Sequence, residues 1–378
     1  MPETAYLDHA ATTPMRPEAV EAMVRWLRDG LGNPSGSHRL ARSARRAVDD
    51  ARDELAELLG CRPGEIVFTS GGTEADNLAL SGCLAAGAVP VCSAVDHHAV
   101  LDPVRARGGR VAAVDPAGRI DLEDLARVLR GGDGAPTVGV VSVLLAGNEV
   151  GTVQDLAAVR SVVEAEAPGA ILHTDAVQAF AWLDVAELAA PADLVSLSGH
   201  KFGGPSGVGV LVVREPVRLQ PTLLGGGQER GRRSGSLPVA AIAGLAAGAR
   251  ACAEERKVVV DRVAFQRDRL ADGLLAAIPG AVETGDRAHK VASNCHICIP
   301  GVEAEALLFL LDQEGVCASA ASSCASGAAE PSHVLSALGV PAALSGGSLR
   351  LSLGWTTTDA DVARALEVVP DAVARLRS

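Results

Sequence analysis

Lys201 stands in the run Leu197-Ser-Gly-His-Lys-Phe-Gly-Gly-Pro205, where apolar residues give way to small and polar ones. Lysine is ordinarily a solvated surface residue. At the end of a buried strand, among serine, glycine and histidine, its amine can instead form a Schiff base with a carbonyl compound. Upstream, His173-Thr-Asp-Ala-Val-Gln178 places the Asp175 carboxylate directly after an apolar strand, at the edge where α/β sheets bind ligands. Alone, that aspartate reads rather as a helix N-cap. A third segment, Thr69-Ser-Gly-Gly-Thr-Glu74, leads a strand through small residues into a helix start. Unpaired N–H groups and the positive dipole end suit a phosphate there, although an ordinary strand-to-helix turn looks the same. Together the three segments supply what pyridoxal 5'-phosphate (PLP) chemistry needs. The amine forms the Schiff base, the carboxylate keeps the pyridine nitrogen protonated, and the helix start takes the phosphate. Neither GxxxxGKS/T nor GxGxxG occurs, which excludes Walker A and Rossmann sites.

The 8 cysteines are too sparse in 378 residues for a disulfide scaffold. Cys295-His-Ile-Cys298 has CxxC spacing, but no second CxxC or histidine pair follows at zinc-finger distance. Its alternation with Ile297 and Ile299 predicts a strand, and no metal site is expected. Cys324 lies in Ala318-Ser-Ala-Ala-Ser-Ser-Cys-Ala-Ser-Gly-Ala-Ala-Glu330, a stretch too poor in large side chains to fill a core, and therefore reads as a loop. Cys317, beside the strand-like Gly315-Val316, reads as structural.

The elements that must position these groups alternate between helix and strand from about residue 15 to about 250. Val48, Ala51, Leu55, Leu58 and Leu59 recur at helical spacing, and Gly60 with Pro63 ends that helix. Glu65–Thr69 reads as a short buried strand, and Thr73 with Asp76 can cap the helix that follows. Val138–Leu145 is a β-branched and leucine run suited to a strand buried on both faces. Asp155 caps a helix ended by Pro168-Gly169, and Ile171–His173, Leu194–Leu197 and Val208–Val213 follow as strands. This rhythm predicts an α/β fold with a mainly parallel sheet covered by helices. Val239–Ala253 predicts a closely packed helix, and the charged Glu254-Glu-Arg-Lys257 marks a connection into a second, smaller α/β unit.

Composition bounds the function. With 34 Lys+Arg against 46 Asp+Glu the net charge is −12, a poor balance for neutralising nucleic-acid phosphates. Hydrophobic residues at 48% exclude a disordered chain. No apolar run approaches the ~20 residues of a membrane span. The start Met-Pro-Glu-Thr-Ala-Tyr-Leu-Asp8 lacks a basic region followed by an apolar one, so a cytoplasmic protein is expected.

The ordered motifs resemble the cysteine desulfurases of the NifS/IscS type, in the class V aminotransferase group of fold-type I PLP enzymes. They are Tyr6-Leu-Asp-His-Ala-Ala-Thr-Thr-Pro14, Gly32-Asn-Pro-Ser-Gly-Ser-His38, Ser70-Gly-Gly-Thr-Glu-Ala-Asp-Asn77, Asn148-Glu-Val-Gly151, Ser198-Gly-His-Lys201, Gly225-Gly-Gly-Gln-Glu-Arg-Gly231 and Arg233-Ser-Gly-Ser-Leu-Pro238. The resemblance implies a large PLP-binding domain over 15–255, and a small domain formed by 1–14 and 256–378 that carries the cysteine loop. It implies that Lys201 is the Schiff-base lysine, that Asp175 pairs with the pyridine nitrogen, and that Gln178 bonds the phenolic oxygen. His97 matches the histidine that stacks on the ring and moves protons; its predecessor Asp96 replaces the usual glutamate. Gly72, Thr73, Ser198 and His200 match the phosphate cradle. Ser236 matches a position, commonly threonine, that reaches the phosphate in the other subunit, which implies a homodimer with shared active sites.

Asn148 and Arg350 match residues that hold the substrate carboxylate, a task suited to the planar guanidinium fork, and Asn33 is placed in the same pocket. Cys324, followed by Glu330-Pro-Ser332, matches the cysteine that takes sulfur from L-cysteine as a persulfide, leaving alanine and passing sulfur to an acceptor protein. That acceptor could serve iron–sulfur cluster assembly, tRNA thiolation or DNA phosphorothioation. A selenocysteine lyase, or a sulfur-relay subunit that needs its partner, would share these residues. Two departures stand out. Trp355 replaces a frequent arginine, and the chain ends at Arg377-Ser378, where longer iron–sulfur assembly members carry a scaffold-docking extension.

Overall fold

Thr69, Asp175 and Ser198 are the last residues of three strands that finish at the same edge of one sheet. The computed structural model describes residues 4–320 and 332–378. Among them the main sheet has seven strands, in the spatial order Ile66–Thr69, Gly209–Val213, Leu194–Ser198, Ile171–Asp175, Val138–Ser142, Val89–Ser93 and Arg110–Ala112. From Leu194–Ser198 to Arg110–Ala112 all neighbours pair in parallel. Their near-continuous Val, Leu and Ile content reflects burial by helices on both faces. Gly209–Val213 runs antiparallel to both neighbours. This reversal departs from the parallel rhythm. The link from Ser198 to Gly209 is too short for a helical crossover, and it holds only the 3₁₀ turn Gly199–Lys201.

Helix starts follow their caps. Asp155 accepts from the N–H groups of Ala157 and Ala158 at 3.0 Å each and opens Leu156–Glu166. The helix after Thr69 begins differently from expectation. It spans Gly72–Cys83 with Gly71 as N-cap at φ 152° and no side-chain cap, so Thr73 sits inside the first turn. The turn is braced by Glu74, whose carboxylate accepts from the Ser70 N–H at 2.7 Å and from both arms of Arg233.

The connection at Glu254–Lys257 is helical throughout and continuous with the helix expected before it: a single helix runs from Val239 to Ala277. Alanine, arginine, glutamate and lysine are good helix formers, and no glycine or proline interrupts them here. Ile242, Leu245, Ala249 and Cys252 of this helix join the core under the main sheet. Val263, Leu270, Ala271 and Leu274 join a second core with Leu7, Ile297, Leu351 and Val369. The second core packs beneath a three-stranded antiparallel sheet in the order Ser348–Ser352, Asn294–Cys298 and Val282–Glu283. Cys295 and Cys298 thus lie in a buried strand. The N-terminal strand Ala5–Tyr6 pairs in parallel with Val316–Cys317. No helix among the described residues is long and apolar enough to cross a membrane.

Candidate active site

The C-terminal ends of the parallel strands and two segments of the second unit enclose one open cavity of about 280 Å³. Asp8, Ala10, Gly72, Thr73, Asp76, His97, Asn148, Asp175, Gln178, Ser198, His200, Lys201, Ser319 and Arg350 line it. It continues into a hollow of about 230 Å³ over the start of the Gly72–Cys83 helix, bounded by Ser70, Gly71, Thr73, Ser198 and His200.

Lys201 ends the Gly199–Lys201 turn, and its Nζ donates to the carbonyl oxygens of Ala10 and Ala11 at 2.6 and 2.8 Å. Gln178 Nε2 donates to the Ala10 oxygen at 2.8 Å. The N-terminal segment is held over the lysine by the Thr13 N–H on the His200 carbonyl and by the Tyr6 hydroxyl on the Thr12 carbonyl. Trp355 adds to this brace. Its indole N–H donates to Pro14 O at 3.1 Å, and its ring lies 4.8 Å from the Arg16 guanidinium.

Asp175 accepts from the Val177 N–H at 2.8 Å. Burial raises its pKa, and the Val177 bond and Lys201 charge offset part of that rise. Asp76, 1% exposed, is also raised well above the usual carboxylate range, by burial and by the nearby Asp175 charge. Behind them His173 is fully buried between the hydroxyls of Ser142 and Ser196, at 2.8 and 2.9 Å. Burial holds that imidazole neutral, at about 3.

His97 caps the His98–Ala106 helix, its Nδ1 accepting from the Ala99 N–H at 3.1 Å. The neutral ring consequently carries its proton on Nε2. Burial first, then the charges of Lys201 and His98, lower its pKa to about 4. His200 is lowered to about 4 by burial and Lys201, and its Nδ1 lies 3.2 Å from Thr12 Oγ1.

Arg350 enters from the Ser348–Ser352 strand, whose backbone bridges to Ser319. Its Nη2 donates to Asp8 Oδ1 at 2.9 Å, and its Nη1 to the Asn148 carbonyl at 3.0 Å. Its buried Nε has no partner among the described residues.

Asn33 is exposed, with its side-chain oxygen taking the Ser35 N–H, and does not line this cavity. Ser236, expected to serve the site of a second subunit, is exposed on this chain. Cys324 lies outside the described residues. Asp8, Asp76 and Ser319 line the cavity without having been singled out as site residues. Asp8 and Asp76 sit inside the quoted motifs, and no spacing signals their contacts.

The site fits PLP. An anion-sized hollow faces unpaired N–H groups at a helix start, with hydroxyls and His200 around it. A lysine and a buried carboxylate stand on the same cavity. A glycine without Cβ keeps the cradle narrow, since a Cβ at position 72 would lie 2.7 Å from Val177 Cγ2. No group of three or more His, Cys, Asp or Glu able to hold a metal lies among the described residues.

A sheet, cavity and residue set of this kind define the fold-type I class of PLP enzymes. The aminotransferase class-V family model matches residues 5–365. An IscS-like cysteine desulfurase of Mycobacterium tuberculosis is 46% identical, over 99% of this chain and 97% of that protein. Among solved structures, a NifS-like protein superposes with a TM-score of 0.90 at 29% identity, covering 99% of this chain and 100% of its own. SspA in complex with cysteine superposes at 0.78 with 28% identity, over 93% and 99%. The chain belongs to the class V aminotransferase family, in its group of NifS/IscS-type cysteine desulfurases.

Proposed function

We propose that the chain is a PLP-dependent cysteine desulfurase that converts L-cysteine to L-alanine and loads the sulfur onto Cys324 as a persulfide. The observation that carries this reading is the convergence of Lys201, Asp175, His97 and Arg350 on one cavity beside a phosphate-sized hollow. SspA, similar over most of its length, is described in complex with cysteine.

Lys201 would hold the cofactor covalently, Asp175 its ring nitrogen, Gln178 its phenolic oxygen, and His97 its ring face. Gly72, Thr73, Ser198 and His200 would hold its phosphate, with Ser236 of a second subunit completing the cradle in a homodimer. When bound, PLP supplies an aldehyde that condenses with amines and a protonated pyridine ring that withdraws electrons from the substrate α-carbon. Asp175 would pair with that nitrogen and favour its protonated form, the Val177 N–H bond and the Lys201 charge favouring the carboxylate. Arg350 binds the substrate carboxylate, with Asn148 beside it. Lys201, once it has given up a proton, takes the hydrogen from the substrate α-carbon. His97, neutral near pH 7, exchanges a proton at the substrate. The Cys324 thiolate then attacks the substrate sulfur. An S–S bond forms, the C–S bond breaks with its electron pair passing to carbon, and protonation of that carbon yields alanine. A thiol acceptor protein removes the outer sulfur, which fits a protein of the cytoplasm.

The test is alanine and sulfide formation from L-cysteine with reductant, comparing wild type with Cys324→Ala. Wild type should form both. The variant should keep the yellow cofactor and lose sulfur release; undiminished release by the variant would overturn the role of Cys324.

A further inference from the structure

We propose that Asp8 is a specificity-determining residue: its carboxylate, paired with Arg350 on the cavity wall, admits amino acids with one acidic group and repels those with a second. This rests on the reading of Arg350 as the residue that binds substrate carboxylate, and it adds a side-chain preference that the reading does not contain.

The Arg350 side chain is 5% exposed and the Asp8 side chain 22%, with Nη2 and Oδ1 2.9 Å apart. The Asn148 carbonyl occupies Nη1, while Nε is buried with no partner among the described residues. Nη1 and Nη2 each carry a second hydrogen beyond these bonds, so the guanidinium retains donors for an incoming carboxylate, but its charge is already matched by Asp8. One arriving carboxylate leaves the corner with one surplus negative charge. A second acidic group, carried on a side chain as short as that of aspartate, would stand in the same cavity as Asp8. Like charges sharing one partly buried cavity are a repulsive device of the kind that sets specificity.

Asp8 cannot readily move aside. Its carbonyl accepts from the Ala11 N–H at 3.1 Å and from the Tyr6 hydroxyl at 3.2 Å. Leu7, its neighbour, donates to Cys317 O at 2.9 Å and accepts from the Ser352 N–H at 2.7 Å, so the chain is stitched to two strands just before the carboxylate. Asp8 is thus a negative charge held on a cavity that Lys201, Asp175, Asp76, His97 and His200 also line.

The experiment measures dissociation constants of L-alanine and L-aspartate by titrating the visible absorbance of the PLP-loaded protein, in wild type and Asp8→Asn. Wild type should bind L-alanine more tightly, and in Asp8→Asn the ratio of the two constants should fall by about 10-fold or more. An unchanged ratio in the variant, including a parallel loss of both affinities, would overturn the proposal. A wild type that binds L-aspartate as well as L-alanine, or binds neither, would overturn it without any variant. Failure to form alanine from L-cysteine is a separate result: it would defeat the functional reading, and the ratio would still judge Asp8.

Discussion

Nζ of Lys201 donates to the carbonyl oxygen of Ala10 at 2.6 Å, an oxygen that also accepts from Gln178 Nε2. The N-terminal segment, which belongs to the second core through Leu7, therefore holds the reactive amine of the first.

If Lys201 both anchors the cofactor and moves the substrate proton, Lys201→Ala removes two functions at once. The variant should lack the yellow absorbance band of the anchored cofactor, and its turnover of L-cysteine should fall by at least about 10³-fold. Absorbance scans and alanine assays on the same preparation check both. A yellow, active variant would dismiss the lysine.

His97 has a pH signature that separates it from an ordinary histidine. Burial, Lys201 and His98 hold it at about 4, so its basic form is present above that pH and is lost only as pH falls through it. Its contribution to kcat should stay level from about pH 8 down to about pH 5. His97→Gln should lower kcat by about 10²–10⁴-fold across that range. An acid limb centred near the usual histidine value of about 6.5, present in wild type and absent from the variant, would contradict this assignment.

What the sequence disclosed was chemistry expressed locally. Asp155 announces its helix because a cap and the N–H groups it serves are neighbours in the chain. Cys295–Cys298 reads as a strand because its alternation with Ile297 and Ile299 has the period of a pleated sheet. Asp175 and Lys201 are legible because strand ends at one sheet edge share a neighbourhood in any α/β fold. Relations made only by folding stayed hidden. Nothing near Asp8 signals Arg350, 342 positions away. The reversal of Gly209–Val213 depends on a short link, and the continuity of Val239–Ala277 on two cores sharing one helix. Thr73 shows the ambiguity at its smallest: a hydroxyl beside two glycines can cap a helix or lie in its first turn, and Gly71 decides for the second.

Gly72 offers a steric test of the cradle. A Cβ there would approach Val177 Cγ2 to 2.7 Å. Val177 is β-branched and stiff, and its N–H is bonded to Asp175. Gly72→Ala should weaken PLP binding by about 10-fold through displacement of that loop, while Val177→Ala in the same chain should recover most of the loss. Equilibrium titration of the apoprotein with PLP reads this directly. Equal affinity in wild type and Gly72→Ala would show that the cradle does not depend on this close approach.

Glu149 supplies a stability test that needs no turnover. It is 4% exposed, accepts from the Ser332 hydroxyl, and holds Asn294 through its backbone carbonyl. Burial pushes its carboxyl up to about 7, and the Ser332 bond and Arg350 charge only partly oppose this. The unfolded chain releases the same proton near 4.3. Between those values the folded protein binds more protons than the unfolded one, so stability falls as pH rises through the window and levels off above about 7. The total is on the order of 3 kcal/mol. Glu149→Gln keeps an oxygen for Ser332 and has no charge to bury. Its stability relative to wild type should therefore improve by up to about that amount between about pH 5 and pH 8. Denaturant unfolding of both proteins at the two pH values measures the change. A difference that does not vary with pH would mean that Glu149 is ionised throughout, and that the contact with Ser332 joins a hydroxyl to a charged carboxylate at every pH tested.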